Sequence, residues 1–553
     1  MQQKERLIYQ LLEKRGILDE EQIEIFLNPD YERDLHDPFL MRDMDHACTR
    51  IFEAIEKKEK IIIYADYDCD GIPGAVILQD LFKKVNYENY EVYIPGRNSE
   101  GYGLNMEALE QFSKNKTKLL ITIDLGITAI KEVKQAKKYG IDVIITDHHL
   151  SKETGLPDAY AILNPKVDDY PEKMLCGAGV IFKFVQGFIK KYGEYYKVKN
   201  GYEKWMLDMA GLATLSDMVP LVGENRAIAY FGMKVLRKSP RPGLIRLFKK
   251  INIDQRHLVE DDIVFMITPR LNAASRMDDP KRAFELLSTN DEINADILAN
   301  HLSKINDDRK NIVIQIMREI NKKLSIREKR EVLVIGNPLW RVGVLGLVAG
   351  KLSDEHKKPV FVWGKDENDI IKGSCRSDGS VSVVELMTHT KEHFLEFGGH
   401  ELAGGFSVDS EKIHFLEEVL SLSFHKVKKI VEINEIKYDM KLNLDKVNMK
   451  TWREIEKLAP FGIANPKPIF LFEGVKIDKI KKFGKNGSGE HLEILFLDSS
   501  KNKVKAISFF SNINSFKVPI LEDIKVDLLA TFELSRFGGK IELRLRIVDI
   551  FGS

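Results

Sequence analysis

No apolar run in this 553-residue chain approaches the ~20 residues that a membrane-spanning helix needs, which argues against membrane helices and for no membrane partner. Cysteine is scarce. Cys48, Cys69, Cys176 and Cys375 stand apart with no Cys-x-x-Cys pair, which argues against a zinc site or a disulfide framework and fits a reducing cytoplasm. Residues 1–6 lack the pattern of a signal peptide. Net charge is lacking too. The 84 Lys and Arg balance 84 Asp and Glu, which neither requires nor rules out nucleic acid, because a basic cleft can be offset elsewhere. Internal repeats and low-complexity linkers are absent. What remains is an ordinary soluble composition, 44% hydrophobic and 30% charged. The chain is too long for one core, so three or four domains are expected.

The most informative stretch is residues 61–74, Ile-Ile-Ile-Tyr-Ala-Asp-Tyr-Asp-Cys-Asp-Gly-Ile-Pro-Gly. A β-branched run ends in three alternating acids, Asp66, Asp68 and Asp70, and an apolar-periodic segment begins near Pro73. This predicts a buried strand, an acidic loop and a helix with proline in its first turn. Crowded carboxylates repel unless something cationic holds them, and hard divalent ions suit such oxygens. A solvated acidic turn is the plain alternative, and the stretch alone leaves both open. The pattern then recurs. Residues 118–123 form a second apolar run that stops at Asp124, and residues 141–146 form a third that stops at Asp147-His148-His149. Amphipathic segments such as 127–139 lie between, which predicts βαβ units and a parallel sheet. Its acid-tipped strand ends would converge on the edge where such sheets bind ligands.

Asp68-Cys69-Asp70-Gly71, Asp124, Asp147-His148-His149 and Ala213-Thr-Leu-Ser-Asp217-Met-Val-Pro-Leu resemble the four motifs of the DHH phosphoesterases. Within that superfamily the chain resembles the RecJ family of single-strand-specific 5′→3′ DNA exonucleases over nearly its whole length. The resemblance implies a monomeric, cytoplasmic enzyme of DNA recombination and repair that releases 5′-mononucleotides. Single-stranded DNA is its implied substrate, and single-strand-binding protein and a helicase are its implied partners. It also implies two ions, Mn²⁺ or Mg²⁺, since two metals ~3.5–4 Å apart can activate a water and clamp a phosphate. Asp68 would serve the first ion, Asp70, His148 and Asp217 the second, and Asp124 would bridge them. Asp66, Asp147 and His149 would support these ligands or face the substrate, because ligating histidines need oriented partners. Much of the family has a His ligand at the position of Tyr64. Tyrosine is a poor ligand at neutral pH, so water or Asp66 is expected in its place.

The expected fold class is α/β, with a parallel-sheet DHH domain and a second α/β lobe joined by a long helix, plus a C-terminal OB-fold β-barrel. The expected divisions are a helical arm (1–45), the DHH domain (46–230), a helical connector (231–325), a DHH-associated substrate domain (326–434) and the barrel (435–553). The connector's long helix should bury Ile297, Leu298, Leu302, Ile305, Ile312, Ile316 and Ile320 on one face. Just before it, Thr268-Pro-Arg270-Leu-Asn272-Ala-Ala-Ser-Arg276 reads as a loop whose arginines suit phosphate contacts. Gly373-Ser374-Cys375-Arg376 has phosphate-pocket chemistry, and His400 stands among four glycines in an expected loop. Arg341 follows Trp340 where the family often has His. It sits at a helix start, where backbone N–H groups favour anions. In the barrel, Lys476, Lys479, Lys481, Lys482 and Lys485 cluster with Phe483 near a Gly-rich loop. That suits a single-strand groove, with a solvated lysine face as the rival. Two other functions share the motifs: a DHH oligoribonuclease or small-nucleotide phosphatase, and a catalytically dead DHH scaffold. The first would need neither arm nor barrel, and the second would have lost metal carboxylates that are all present here.

Overall fold

A computed structural model of the chain describes residues 6–97, 100–152, 154–324, 330–366, 369–427, 437–484, 491–516, 518–536 and 540–552. Two compact units emerge: His36–Val219 with Phe231–Asn434, and Met1–Leu35 with Pro220–Tyr230 and Glu435–Ser553.

The first unit carries a wholly parallel sheet of β1 (Lys60–Ala65), β2 (Tyr90–Tyr93), β3 (Thr117–Ile123), β4 (Asp142–Thr146) and β5 (Ala161–Leu163), in the order β2-β1-β3-β4-β5. Its central strands are buried almost throughout, as sheets covered on both faces are. One face packs on helices Met106–Lys114 and Ile130–Lys138 through Leu109, Phe112, Val133 and Ala136. The other meets α1 (Gly71–Lys84) and α2 (Gly177–Tyr192), which also pack on each other and on α3 (Leu207–Ser216). Strand order changes direction between β1 and β3, and the crevice beyond those two carboxyl ends is where such sheets take ligands. Asp66 and Asp124 stand there.

A π-helical turn, Ile263–Ile267, runs directly into α4 (Thr268–Met277). Arg270, Asn272 and Arg276 are therefore helical, not loop residues as the sequence suggested. Pro269 lies in the first turn, where its missing N–H leaves no bond unmade. The long helix is α5 (Glu292–Leu324), 33 residues. Leu298, Leu302, Ile316 and Ile320 are buried on it as expected, but Ile297 is 61% exposed. It falls one position off the stripe at 3.6 residues per turn. The buried side instead includes the polar Ser303 and Asn306. After α5 come β6 (Leu333–Gly336), α6 (Val342–His356), β7 (Val360–Lys365), β8 (Ile371–Arg376), β9 (Glu396–His400) and β10 (Ala403–Val408). They form a mixed sheet in the order β6-β7-β8-β10-β9. His400 thus ends a strand of a hairpin and does not sit in an open loop.

In the second unit, β11 (Met440–Lys441), β12 (Phe470–Phe483), β13 (His491–Leu497), β14 (Lys503–Phe509), β15 (Lys525–Ser535) and β16 (Glu542–Gly552) run in the order β11-β12-β13-β14-β16-β15. Pairing of β12 with β15 closes the barrel and removes the free edges. Its core of Phe470, Phe472 and Phe496 is continuous with Ile8, Leu11, Leu12 and Phe26 of the N-terminal helices Leu7–Lys14 and Glu20–Leu27. Arg226 locks that arrangement. Its guanidinium lies 3.8 Å from the Phe26 ring centroid and donates to the carbonyls of Phe26, Leu458, Ala459 and Pro460. Lys479, Lys481 and Lys482 are exposed on β12, Lys476 pairs with Asp523 at 2.8 Å, and Lys485 lies outside the described residues.

Candidate active site

The loop after β1 is folded around its own acids. Asp68 Oδ1 accepts the N–H groups of Asp70 (2.8 Å) and Gly71 (3.3 Å). A Cβ at Gly71 would come within 2.5 Å of the Asp66 carbonyl oxygen, so only glycine closes this turn. Asp70 is fully buried and accepts the N–H groups of Gly177 (2.6 Å) and Ala178 (2.7 Å) at the amino end of α2. That helix end favours an anion. Burial and the charge of Asp68 still push the Asp70 carboxyl up to about 6. A Cβ at Gly177 would lie 2.5 Å from Asp124 Cβ. The start of α2 therefore touches the ends of both β1 and β3. Asp70 and its amide donors lie more than a hundred positions apart, so nothing local in the sequence pairs them.

Asp124 adopts φ +62°, a region an aspartate tolerates but seldom occupies. Burial and the charges of Asp70 and Asp68 hold its carboxyl well above the usual range, and burial with Asp68 does the same to Asp66. Asp124 Oδ1 and Asp66 Oδ1 are both buried without a hydrogen-bond partner. His148 Nε2 lies 3.1 Å from Asp124 Oδ1, 3.7 Å from Asp70 Oδ2 and 3.9 Å from Asp217 Oδ2. Burial and the neighbouring His149 push His148 down to about 3, so its imidazole is neutral. A lone pair and three carboxylates thus converge. Asp217, just past the end of α3, is raised by burial and by Asp70 and Asp68.

Asp147 faces the other way. It accepts the N–H groups of His148, His149 and Ile127, and its Oδ1 lies 2.8 Å from His149 Nδ1. Burial is the largest influence and opposes both charges of this pair, yet their hydrogen bond, their mutual attraction and, for Asp147, the backbone N–H donors together outweigh it, lowering Asp147 and raising His149. Tyr102, which nothing in its local sequence marks, places its hydroxyl 3.3 Å from His149 Nδ1 and donates to the Asp124 carbonyl. Tyr64 turns into the core. Its hydroxyl donates to the Gly103 carbonyl at 3.0 Å and its ring stacks on Tyr93. Three sets bring ligand atoms within 4.8 Å of one another and could hold metal ions: Asp66–Asp68–Asp124, Asp70–His148–Asp217 and Asp124–His148–His149.

A cationic group stands beside these acids in the same unit. The Arg97 guanidinium lies 5.1 Å over the Tyr67 ring. Burial, then the charges of Arg97, Arg309 and Arg376, hold Arg276 down to about 9. Arg276 donates to the Gly343 carbonyl in the first turn of α6, and Gly346 of that helix lies against Arg376 and Ser374. Ser374 faces Gly405, which faces Gly398; Arg376 faces Ala403, which faces His400. Ser374, Arg376 and His400 therefore share one sheet face, bare of large side chains at Gly398, Ala403 and Gly405, with His400 roughly 10 Å from Arg376 across two strand spacings. Arg341 is the exposed N-cap residue of α6.

Three family models match the chain: the DHH family N-terminal domain over residues 60–214, the DHHA1 domain over 329–426 and the RecJ OB domain over 438–549. The single-stranded-DNA-specific exonuclease RecJ of Bacillus subtilis is 32% identical over 552 residues, covering 98% of this chain and 67% of the relative. That of Escherichia coli is 30% identical over 450 residues, covering 77% of each. Among solved structures, RecJ of Thermus thermophilus in complex with Mn²⁺ superposes with a TM-score of 0.82 at 24% identity, covering 99% of this chain and 76% of that one. An exonuclease RecJ bound to manganese does so with 0.63 at 26% identity, covering 71% and 97%.

Proposed function

Because the chain belongs to the RecJ family of single-stranded-DNA-specific exonucleases, we propose that it hydrolyses single-stranded DNA from the 5′ end to 5′-mononucleotides, with two divalent ions at the acidic edge of the parallel sheet. The carrying observation is the pair of buried, unpartnered oxygens on Asp66 and Asp124 within the converging acids. Among the described residues, no Lys or Arg forms an ion pair with Asp66, Asp68, Asp70, Asp124 or Asp217. A set of carboxylate oxygens with one or two imidazoles fits Mn²⁺ or Mg²⁺, and both ions occur in solved RecJ structures. When bound, such ions supply a nucleophile at neutral pH and stabilise charge on the scissile phosphate.

The residues divide the remaining work. Asp66, Asp68 and Asp124 form one ligand set and Asp70, His148 and Asp217 the other, with Asp124 shared. Asp66 replaces the histidine that Tyr64 does not supply. The α2 amides aim Asp70, and Asp147 fixes the ring of His149 through Nδ1, leaving Nε2 for proton transfer. Ser374, Arg376 and Arg276 receive the 5′-terminal phosphate, with Arg270, Asn272, Arg341 and His400 along the strand. The same reading assigns five working parts: the arm (1–45), DHH domain (46–230), connector (231–325), substrate domain (326–434) and barrel (435–553). Cytoplasmic location, a monomeric state, and single-strand-binding protein and a helicase as partners belong to this reading through the family alone. A barrel that resembles the RecJ OB domain speaks against the small-nucleotide phosphatase, and the complete acid set speaks against a dead scaffold.

Two outcomes test it. Arg376→Ala is expected to lower kcat/KM on 5′-phosphorylated strands by roughly 10–100-fold, the worth of a charged hydrogen bond, and to affect 5′-hydroxyl strands far less. Equal losses on both would remove the terminal-phosphate pocket. The second outcome concerns pH. Carboxyls raised above their unfolded values near 3.8, Asp70 reaching about 6, bind more protons folded than unfolded. Their contribution is present at low pH and lost as pH rises through about 6 for Asp70 and about 9 for Asp217. Mn²⁺ binds the deprotonated set, so the stabilisation it gives, read as a Tm gain, should grow between pH 5 and 8, reaching about 2.7 kcal/mol where the ion stands at a hundredfold excess over Kd. Thermal melts showing a pH-independent gain would contradict this.

A further inference from the structure

Among the described residues, the parallel sheet ends at β2 with an uncovered edge, because β2 pairs with β1 alone. The register says which groups face outward. Ile61 stands opposite Tyr90 and donates its N–H to the Asn89 carbonyl at 3.0 Å. In a parallel ladder the bonding residues alternate, so Asn89, Glu91 and Tyr93 bond to β1. The N–H and C=O groups of Tyr90 and Val92 therefore point away from the sheet. Such a row is a template for another strand, and proteins ordinarily cover it or guard it.

Here the edge opens into a groove. The helix Lys281–Ser288 packs on α1, and a cavity of about 590 Å³ lies between these helices and β2. Tyr90, Val92 and Ile94 line it from the strand and Phe284 from the helix. The three strand residues alternate, so they share one sheet face. A strand laid beside β2 would send every second side chain into this space.

Charge narrows the occupant. Tyr93 belongs to the other sheet face, where its ring stacks on Tyr64. Lys281 Nζ nevertheless lies 5.8 Å over the Tyr93 ring, so its ammonium stands across the free edge. Among the described residues, neither Lys281 nor Lys83 of the groove has an ion-pair partner, whereas Glu285 is held by Arg282 at 3.1 Å. Glu88, at the amino end of β2, is the one unpaired carboxylate of the lining. The carboxyl end of β2, under Lys281, thus favours an acid.

We propose that β2 takes up an extended segment of a partner protein as a further strand. The segment is apolar at the alternate positions that face Phe284, and acidic where it passes Lys281. Backbone bonds to Tyr90 and Val92 give the affinity, and the helix wall and Lys281 give the selectivity. A lysine on an edge guards against indiscriminate pairing, and the same charge here admits an acidic strand. None of these residues belongs to the converging acids or to the cationic group beside them, so the proposal stands apart from the exonuclease reading.

The test uses the full chain and an arrayed library of end-capped hexapeptides, apolar at alternate positions with Asp or Glu at one end. The tightest binder is then measured by fluorescence anisotropy. Methylating its amide nitrogens one at a time should weaken binding by about tenfold at every second residue and little at the others, because only alternate amides face β2. Val92→Pro removes an outward donor without touching the ladder to β1, as edge prolines do, and should also weaken binding by about tenfold. Lys281→Glu should weaken the acidic peptide several-fold and leave its Asn or Gln counterpart unchanged. No binder in the library, equal losses at all methylated positions, or full affinity in both variants would overturn the proposal. If Val92→Pro does not fold, the methylation series decides, since it leaves the protein unaltered.

Discussion

Asp124→Ala is expected to reduce strand hydrolysis to below about one thousandth of the normal rate, a loss of ~4 kcal/mol of transition-state stabilisation at 1.36 kcal/mol per decade. Asp124 belongs to two of the three converging ligand sets and lies 3.1 Å from the His148 nitrogen. No neighbouring carboxylate can replace it, because Asp66 and Asp70 are already held at their own strand and helix ends. The fold should survive, since removing one of several mutually repelling buried carboxylates relieves strain. Gly177→Ala provides the companion result. Its methyl group would press within 2.5 Å of Asp124 Cβ and 2.9 Å of its backbone. Activity should fall steeply although every charged group remains. Near-normal rates for either variant in ordinary Mn²⁺ would show that the end of β3 does not position the reaction.

Arg226→Ala is expected to destabilise the barrel unit by about 3 kcal/mol or more. The change removes the side-chain donor of the Phe26 and Ala459 carbonyls and leaves those of Leu458 and Pro460 with Asn465 Nδ2 alone, along with losing the guanidinium's packing on the Phe26 ring. At ~2–4 °C per kcal/mol for a unit of this size, its melting transition should drop by about 6–12 °C. Differential scanning calorimetry reads this directly, and an unchanged transition would mean the guanidinium is not a structural clasp. The same packing changes how the barrel's DNA grip is tested. Deleting residues 435–553 would strip Ile8, Leu11, Leu12 and Phe26 of their core. Substitution of exposed Lys479, Lys481 and Lys482 on β12 is therefore the cleaner probe of strand affinity.

How much of this was legible follows the distance between cause and effect along the chain. The acid-tipped strands were legible because each is a local event: an apolar run, then an abrupt carboxylate. The strand order that brings them together follows from βαβ units. The holder of Asp70 was not legible, because a pair of glycine-region amides announces nothing about which acid it will meet. Thr268–Met277 was misplaced as a loop because Pro269 ordinarily signals one, although a first-turn proline is compatible with a helix. On α5 the apolar stripe hid a second message. Ser303, Asn306 and Arg309 carry their own period of three on the buried side, and a polar residue at a buried period was the available signal. The clasp of Arg226 on segments 26 and 458–460 is purely tertiary. Nothing local marks that arginine among its exposed counterparts.

On the proposed function, this acidic edge uses divalent ions to remove nucleotides from the 5′ end of a single strand. A time course with one long strand, labelled in parallel at its 5′ or its 3′ end, tests that most directly, with Mn²⁺ and with EDTA. With Mn²⁺, 5′ label should appear as mononucleotide at the earliest times while 3′ label stays in long fragments, and with EDTA neither should be released. Early release of 3′ label, internal cutting, or release that persists in EDTA would contradict the account.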